Sequence, residues 1–394
     1  MATFPLLTLP YFPLKEVVKT MNLLEQNKLS LATPQTEALI KFMNIKVDYV
    51  SIWISQRVCK LHIHNIKSPR SPIPTFYKCK KDVEPPYISE YVTPEEPHVV
   101  DDPLEACIKM ANRFYEIFNL KHQMIFITQY NHEDPDGMKR LISRLLSEEC
   151  YAIEIIEVDW VKELDGTVLK HLMDTLKLET HVYIGGLIPD DFRHEKAFKF
   201  RSMIYEQAKW ITMDDIKSIR NAKKFSCTYT NFNSKDLNDF LHYWISCDEE
   251  MMEECEIGVG GNFNFDEIFD GMSAVKIQGE LWGKNSSGSL KVDWPTKLIK
   301  IRNPSNRKFT IAQVMLKRSK QIELKGLEPC EKYKLQLEIL DEMEKEANLK
   351  LEFKEMDGGD LQKQLAEVQK GLSQLNFENE ELLRLEKLSS FNGY

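Results

Sequence analysis

Four groups of residues have side-chain types and spacings that could do chemistry. Cys59-x-x-His62-x-His64, with Cys79 downstream, brings together thiol and imidazole groups of the kind that hold zinc. Leu61 and Ile63 alternate with His62 and His64, so the segment reads first as a strand with histidines on its polar face. Gly258-Val259-Gly260-Gly261-Asn262-Phe263 follows a strand-like run, as a dinucleotide-binding loop does. Phe263, however, stands where the third glycine belongs and no long helix clearly follows, which favours a turn. Gly279-Glu280-Leu281-Trp282-Gly283-Lys284-Asn285 is one residue short of a phosphate loop and lacks Ser or Thr after its lysine. Asp214-Asp215 opens a helical run, where carboxylates complement the helix dipole without any acid-base role. These groups assign no catalytic residue, metal or cofactor.

The elements that would position such residues alternate along the chain. Met124 to Thr128 and Ala152 to Val158 read as strands, with another at His181 to Ile184. Between them, Gly137 to Leu146 places Met138, Leu141, Ile142, Leu145 and Leu146 on one helical side, and Gly166 to Leu176 does the same with Leu169, Leu172, Met173 and Leu176. Strand centres near Phe126, Ile155 and Tyr183 lie 29 and 28 residues apart, and Tyr229 to Ile257 repeats the interval at 28. The 46 residues from Tyr183 to Tyr229 read as one expanded unit. One strand plus one helix at a steady period predicts a leucine-rich-repeat-like α/β array, with a doubly wound sheet as the alternative.

Eight of the 17 prolines fall between Lys67 and Leu104, which reads as a linker. Lys297 to Ile301, the turn Asn303-Pro304-Ser305-Asn306 and Phe309 to Leu316 predict a hairpin closing the array. Leu361, Leu365, Val368, Leu372, Leu375, Asn379 and Leu382 form a heptad-spaced seam, read as an amphipathic helix on its own domain ahead of a coiled coil. Glu328 to Ser390 holds 16 acidic and 9 basic side chains, nearly all of the net charge of -9. An acidic chain without a basic stripe argues against nucleic acid. Its apolar runs are far short of a membrane span, and the start lacks a secretory signal. Eight scattered cysteines without a Cys-x-x-Cys pair fit a reducing compartment, so an intracellular protein, cytoplasmic or nuclear, is expected.

The N-terminus carries the most specific pattern. Leu9-Pro10 blocks earlier helix, and the following helix shows Leu14, Val17, Val18 and Met21. A short second helix shows Leu23, Leu24, Leu29 and Leu31, and Thr33-Pro34 starts a third that ends near Phe42. Helices this short cannot bury all of that surface among themselves. The ordered set from Phe4 to Phe42 resembles an F-box, departing from it at Ala32-Thr33-Pro34-Gln35. The resemblance implies a non-catalytic subunit that docks a Skp-type adaptor, and through it a cullin scaffold. The residues implied for that contact are Leu9, Pro10, Leu14, Val17, Val18, Leu23, Leu24, Leu29 and Leu31.

A second resemblance lies downstream, in Lys209-Trp210-Ile211-Thr212-Met213-Asp214-Asp215-Ile216 and Asp236-Leu237-Asn238-Asp239-Phe240-Leu241-His242-Tyr243-Trp244. These are similar to the type 2 F-box-associated domain, over about Lys209 to Gly258. Asn233, Ser234 and Asp236 offer caps, and Leu237, Phe240, Leu241, Trp244 and Ile245 form a stripe best read as core. The expected organisation is an F-box at 1–46, a strand hairpin and Pro-rich linker at 47–105, a leucine-rich-repeat-like F-box-associated domain at 106–327 and an acidic helical tail at 328–394. The implied function is substrate recognition in an SCF-type ubiquitin ligase, with an unknown protein substrate. A repeat scaffold without ligase coupling is the alternative.

Overall fold

The computed structural model describes residues 8–54, 58–64, 75–77, 98–127, 134–146, 152–155, 163–260, 263–264, 266–278, 295–300, 311–317, 321–327, 333–355 and 359–391. The chain is mixed α/β and divides into two compact units, Met1–Phe200 and Arg201–Tyr394.

The first unit begins with three helices, α1 (Tyr11–Thr20), α2 (Leu23–Ser30) and α3 (Pro34–Met43). A sheet follows, formed by β1 (Lys46–Ile54), β2 (Val58–His64), β3 (Thr75–Tyr77), β4 (His98–Val99), β5 (Asn119–Ile127), β6 (Ala152–Ile155) and β7 (His181–Leu187). Helices α4 (Pro103–Ile117), α5 (Pro135–Leu145) and α6 (Gly166–Thr175) intervene. The strand order is β7-β6-β5-β1-β2-β3-β4. β1, β5, β6 and β7 run parallel, each beside the next. Consecutive parallel strands need a crossover, and α5 and α6 lie between β5, β6 and β7 in the chain.

Period-2 alternation sorts the side chains of this sheet. Ile52, Ile54, Leu61, Ile125, Ile127, Val182 and Ile184 are buried together with Phe114 of α4, Ile142 of α5 and Leu172 of α6. Trp53, of opposite parity, stacks on its register partner Phe126, with ring centroids 4.3 Å apart. The strands expected at Val50 to Ile66 are present as β1 and β2. They pair antiparallel with each other, and β1 also pairs with β5 from Lys46 to Ile54. A two-stranded ribbon is marginal alone, and joining a larger sheet gives β1 a second partner. Of the Pro-rich stretch, β3 and residues 98–104 are described, and the rest lies outside the described residues.

The second unit contains β8 (Ser202–Gln207), α7 (Met213–Lys217), β9 (Ala222–Cys227), α8 (Ser234–Ser246), β10 (Met252–Gly258), β11 (Ala274–Gln278), β12 (Pro295–Lys300), β13 (Ile311–Lys317), β14 (Gln321–Leu327), α9 (Lys334–Glu355) and α10 (Gly359–Phe391). Its strand order is β11-β12-β13-β14-β10-β9-β8. β8, β9 and β10 are parallel, and β10 passes to an antiparallel meander through β14. The expected hairpin is there as β12 and β13, and its turn lies outside the described residues.

The expanded repeat is replaced by a shorter rhythm. β8 falls inside the 46-residue interval, and Tyr229 is not a strand centre: it sits beyond β9 at φ 47, 56% exposed. Turns rather than a helix occupy Pro189 to Arg201, so no amphipathic stripe marked the spacing. The strand ends are tied by threonines: Thr228 Oγ1 donates to the Glu206 carbonyl at 2.9 Å, and Thr230 Oγ1 to the Gly258 carbonyl at 2.5 Å.

The heptad seam faces inward. Leu372 is buried with Val275, Ile277, Leu298, Ile339 and Leu340, while Val368 and Leu375 pack against that cluster. Asn379, the polar member of the seam, accepts from Gln336 Nε2 at 2.7 Å and donates to the Lys276 carbonyl at 3.1 Å. The tail is thus a helix hairpin over β11 and β12. Among the described residues no helix is long and apolar enough to cross a membrane.

Candidate docking surface

Local chemistry explains the three N-terminal helices. Pro10 precedes α1, and Leu14 and Val18, one turn apart, are buried as its inner stripe. Asn22 and Glu25 form a reciprocal capping box that starts α2, at 2.9 and 2.8 Å. Gln26 Nε2 donates to the carbonyls of Val18 and Met21, both at 3.0 Å, which ties α2 to the end of α1. Thr33 and Thr36 cap α3 with Pro34 in its first turn, as expected from the sequence.

The nine residues implied for partner contact divide by burial. Leu14, Val18, Leu23 and Leu24 are core, none more than 8% exposed, so they hold the module together. Leu9 and Leu29 are half-buried, and Pro10, Val17 and Leu31 are exposed. Sequence reasoning left out the largest exposed groups, Phe12 at 77% and Phe42 at 72%. Tyr11 joins them, its ring 5.5 Å from Phe12 and 5.7 Å from Phe42, both edge-on. Helical phase was the available signal: Phe12 lies two residues from Leu14, about 200° around the helix at about 100° per residue. Three aromatic rings held at a surface are the type of group that anchors protein interfaces.

This module is fastened to the sheet that follows it. Asn44 ends α3 in the left-handed conformation at φ 49, and β1 begins two residues later. Arg113 of α4 reaches Glu37 of α3 at 2.9 Å and Ser30 of α2 at 3.3 Å. The hydrogen bond from Arg113, followed by that from Lys41, holds the Glu37 carboxyl at about 2, well below the usual carboxylate range.

The other chemical candidates that fall among the described residues take structural roles. Cys59 is buried with Leu61 and Ile63, and strand alternation puts His62 on the opposite face, so this pair cannot share one ion; Cys79 lies outside the described residues. Burial pushes the Cys59 thiol up to about 12. Gly260 donates its N–H to the Phe232 carbonyl at 3.1 Å, and a Cβ there would meet the Thr230 carbonyl oxygen at 2.0 Å, so the glycine serves close chain contact. Gly279 to Asn285 lies outside the described residues. Asp215 accepts from the Thr212 N–H at 2.8 Å and caps α7.

Downstream, Trp210 is buried with its ring 5.3 Å from Tyr205, and Leu237, Phe240, Leu241, Trp244 and Ile245 are all buried on α8. Asn233 and Asp236 make the capping box that starts this helix. The aromatic signature of the segment is therefore core. Residues 191–257 match the F-box associated family. The Skn-1 dependent zygotic transcript 15 protein of Caenorhabditis elegans is 20% identical over 329 residues, covering 79% of this chain and 94% of that protein. No solved structure matches.

Proposed function

We propose that the chain is the substrate-recognition subunit of an SCF-type cullin ubiquitin ligase. In this reading α1 to α3 form an F-box that binds a Skp-type adaptor, and the rest captures a protein target. The observation that carries it is the exposed Tyr11, Phe12 and Phe42 cluster on a capped three-helix module, N-terminal to a segment matching the F-box associated family. Pro10, Val17 and Leu31 of the implied contact set are exposed as well. Parallel strands in chain order, β5-β6-β7 in one unit and β8-β9-β10 in the other, support a leucine-rich-repeat-like target domain.

The chain itself supplies no catalytic residue in this proposal. Holding a target beside a ubiquitin-loaded enzyme raises the effective concentration of its lysines, and the acceleration comes from proximity. Co-expression of the full chain with a Skp-type adaptor and a cullin tests the reading. A single complex containing all three is expected on gel filtration. An adaptor-cullin pair that elutes without the chain would leave the scaffold without ligase coupling.

A further inference from the structure

Helix α10 carries a glycine that its own chain does not use. Glycine inside a helix is less favourable than alanine, yet a Cβ at Gly371 would meet nothing within 4 Å, so packing within the chain does not call for it. An open depression of about 510 Å³ lies over the position, lined by Glu367, Lys370, Gly371, Ser373 and Gln374. Six residues further on, Phe377 is 61% exposed. At about 100° and about 1.5 Å per residue, Gly371 and Phe377 lie about 60° to either side of Gln374 and about 9 Å apart along the axis. This face is separate from the buried seam. Val368, Leu372, Leu375 and Asn379 fall about 100–160° around the helix from Gln374, where they pack on the sheet.

The face is complementary to itself in shape and in charge. When two antiparallel copies of α10 cross at Gln374, each residue a given number of places before Gln374 meets the residue the same number of places after it on the other copy. Phe377 of each copy then enters the depression over Gly371 of the other, where the missing Cβ lets the ring approach the backbone. Lys370 meets Glu378 twice, and both are exposed. Glu367 meets Glu381, and Lys363 and Arg384, about one turn further out, offset that like-charged pair. Arg384 reaches Glu381 at 2.9 Å within its own helix. A parallel pairing would instead set Lys370 against Lys370 and Glu378 against Glu378, and would leave the depression unfilled.

We infer that the outer face of α10 joins two copies of this chain through an antiparallel helix crossing centred on Gln374. The two phenylalanine rings supply the buried apolar surface, and the two Lys370–Glu378 pairs select the antiparallel direction. A single helix crossing is a small contact, below about 1,200 Å², so the dimer is weak and its Kd is about 10–100 µM. The face does not depend on α1 to α3 docking an adaptor, and its test contains no ligase component.

The test is analytical ultracentrifugation of the full chain from about 1 to about 300 µM, a range that brackets this Kd. A shift from monomer to dimer is expected. Phe377→Ser removes the ring and Gly371→Gln fills the depression, so each is expected to weaken the dimer at least about tenfold while the circular dichroism of the chain is unchanged. Lys370→Glu and Glu378→Lys each reverse two charge pairs per dimer and are expected to weaken it about tenfold. Lys370→Glu/Glu378→Lys restores opposite charges across the crossing and is expected to recover the wild-type dimer, which a merely local role of either side chain would not produce. A wild-type chain that stays monomeric throughout would leave this face to another partner and overturn the inference. A dimer indifferent to Phe377→Ser, or a doubly reversed chain that does not recover, would overturn it as well.

Discussion

Replacing glycine by alanine at two positions of the second unit should shift stability in opposite directions. At Gly260 the new Cβ would lie 2.0 Å from the Thr230 carbonyl oxygen, a backbone atom that cannot rotate aside. The turn must therefore open, at the expense of the Gly260 to Phe232 backbone bond of 3.1 Å and the Thr230 hydroxyl bond to Gly258 of 2.5 Å. Each bond contributes about 1 kcal/mol, and residual overpacking adds about 1–3 kcal/mol, so Gly260→Ala should destabilise by about 3–5 kcal/mol. Gly371 sits inside α10 with nothing within 4 Å of a built Cβ. There alanine gains helix propensity, and Gly371→Ala should stabilise by about 0.5–1 kcal/mol. Urea unfolding followed by the fluorescence of buried Trp210 and Trp244 measures both. A Gly260→Ala protein within about 0.5 kcal/mol of wild type would refute the close-contact argument. Lost nucleotide binding at unchanged stability would instead restore the dinucleotide-loop reading of Gly258 to Phe263.

Two predictions concern titration. Glu37 is held at about 2 in the folded chain, against an ordinary value of 4.5, so its contribution is complete above 4.5 and disappears as pH falls through about 2. The melting difference between wild type and Glu37→Gln should accordingly be constant from pH 7 to 5 and shrink between pH 4.5 and 2; a difference unchanged at pH 2 would contradict the Arg113 pairing. Burial raises the thiols of Cys59, Cys227 and Cys255, so all three should resist alkylation at pH 8 in the native chain and react after unfolding, as counted by mass spectrometry.

What was legible in the sequence was local. Thr33-Pro34 announces α3 because capping and proline geometry act within one turn, and the Leu237 to Ile245 stripe reads as core because its spacing matches the helix period. β8 was hidden because its neighbours are turns, leaving no periodic helix to mark the interval. The seam of α10 showed an apolar face, but a stripe does not say whether a partner helix or the same chain covers it; the burial of Asn379 against Gln336 and Lys276 does. At the candidate site, the leucine pattern located the module but favoured residues that the fold buries. Phe12 and Phe42 stand out only after Leu14 and Val18 fix which side of the helices faces inward.

Adaptor docking through the exposed aromatic cluster is measured by titrating the full chain with a purified Skp-type adaptor in calorimetry, alongside Phe12→Ser/Phe42→Ser. Both side chains are more than 70% exposed, so the double variant should keep its melting temperature. It should also bind at least about 30-fold more weakly, as loss of an aromatic anchor worth about 2 kcal/mol implies. A wild-type chain that does not bind the adaptor, or a variant that binds it equally well, would contradict the claim.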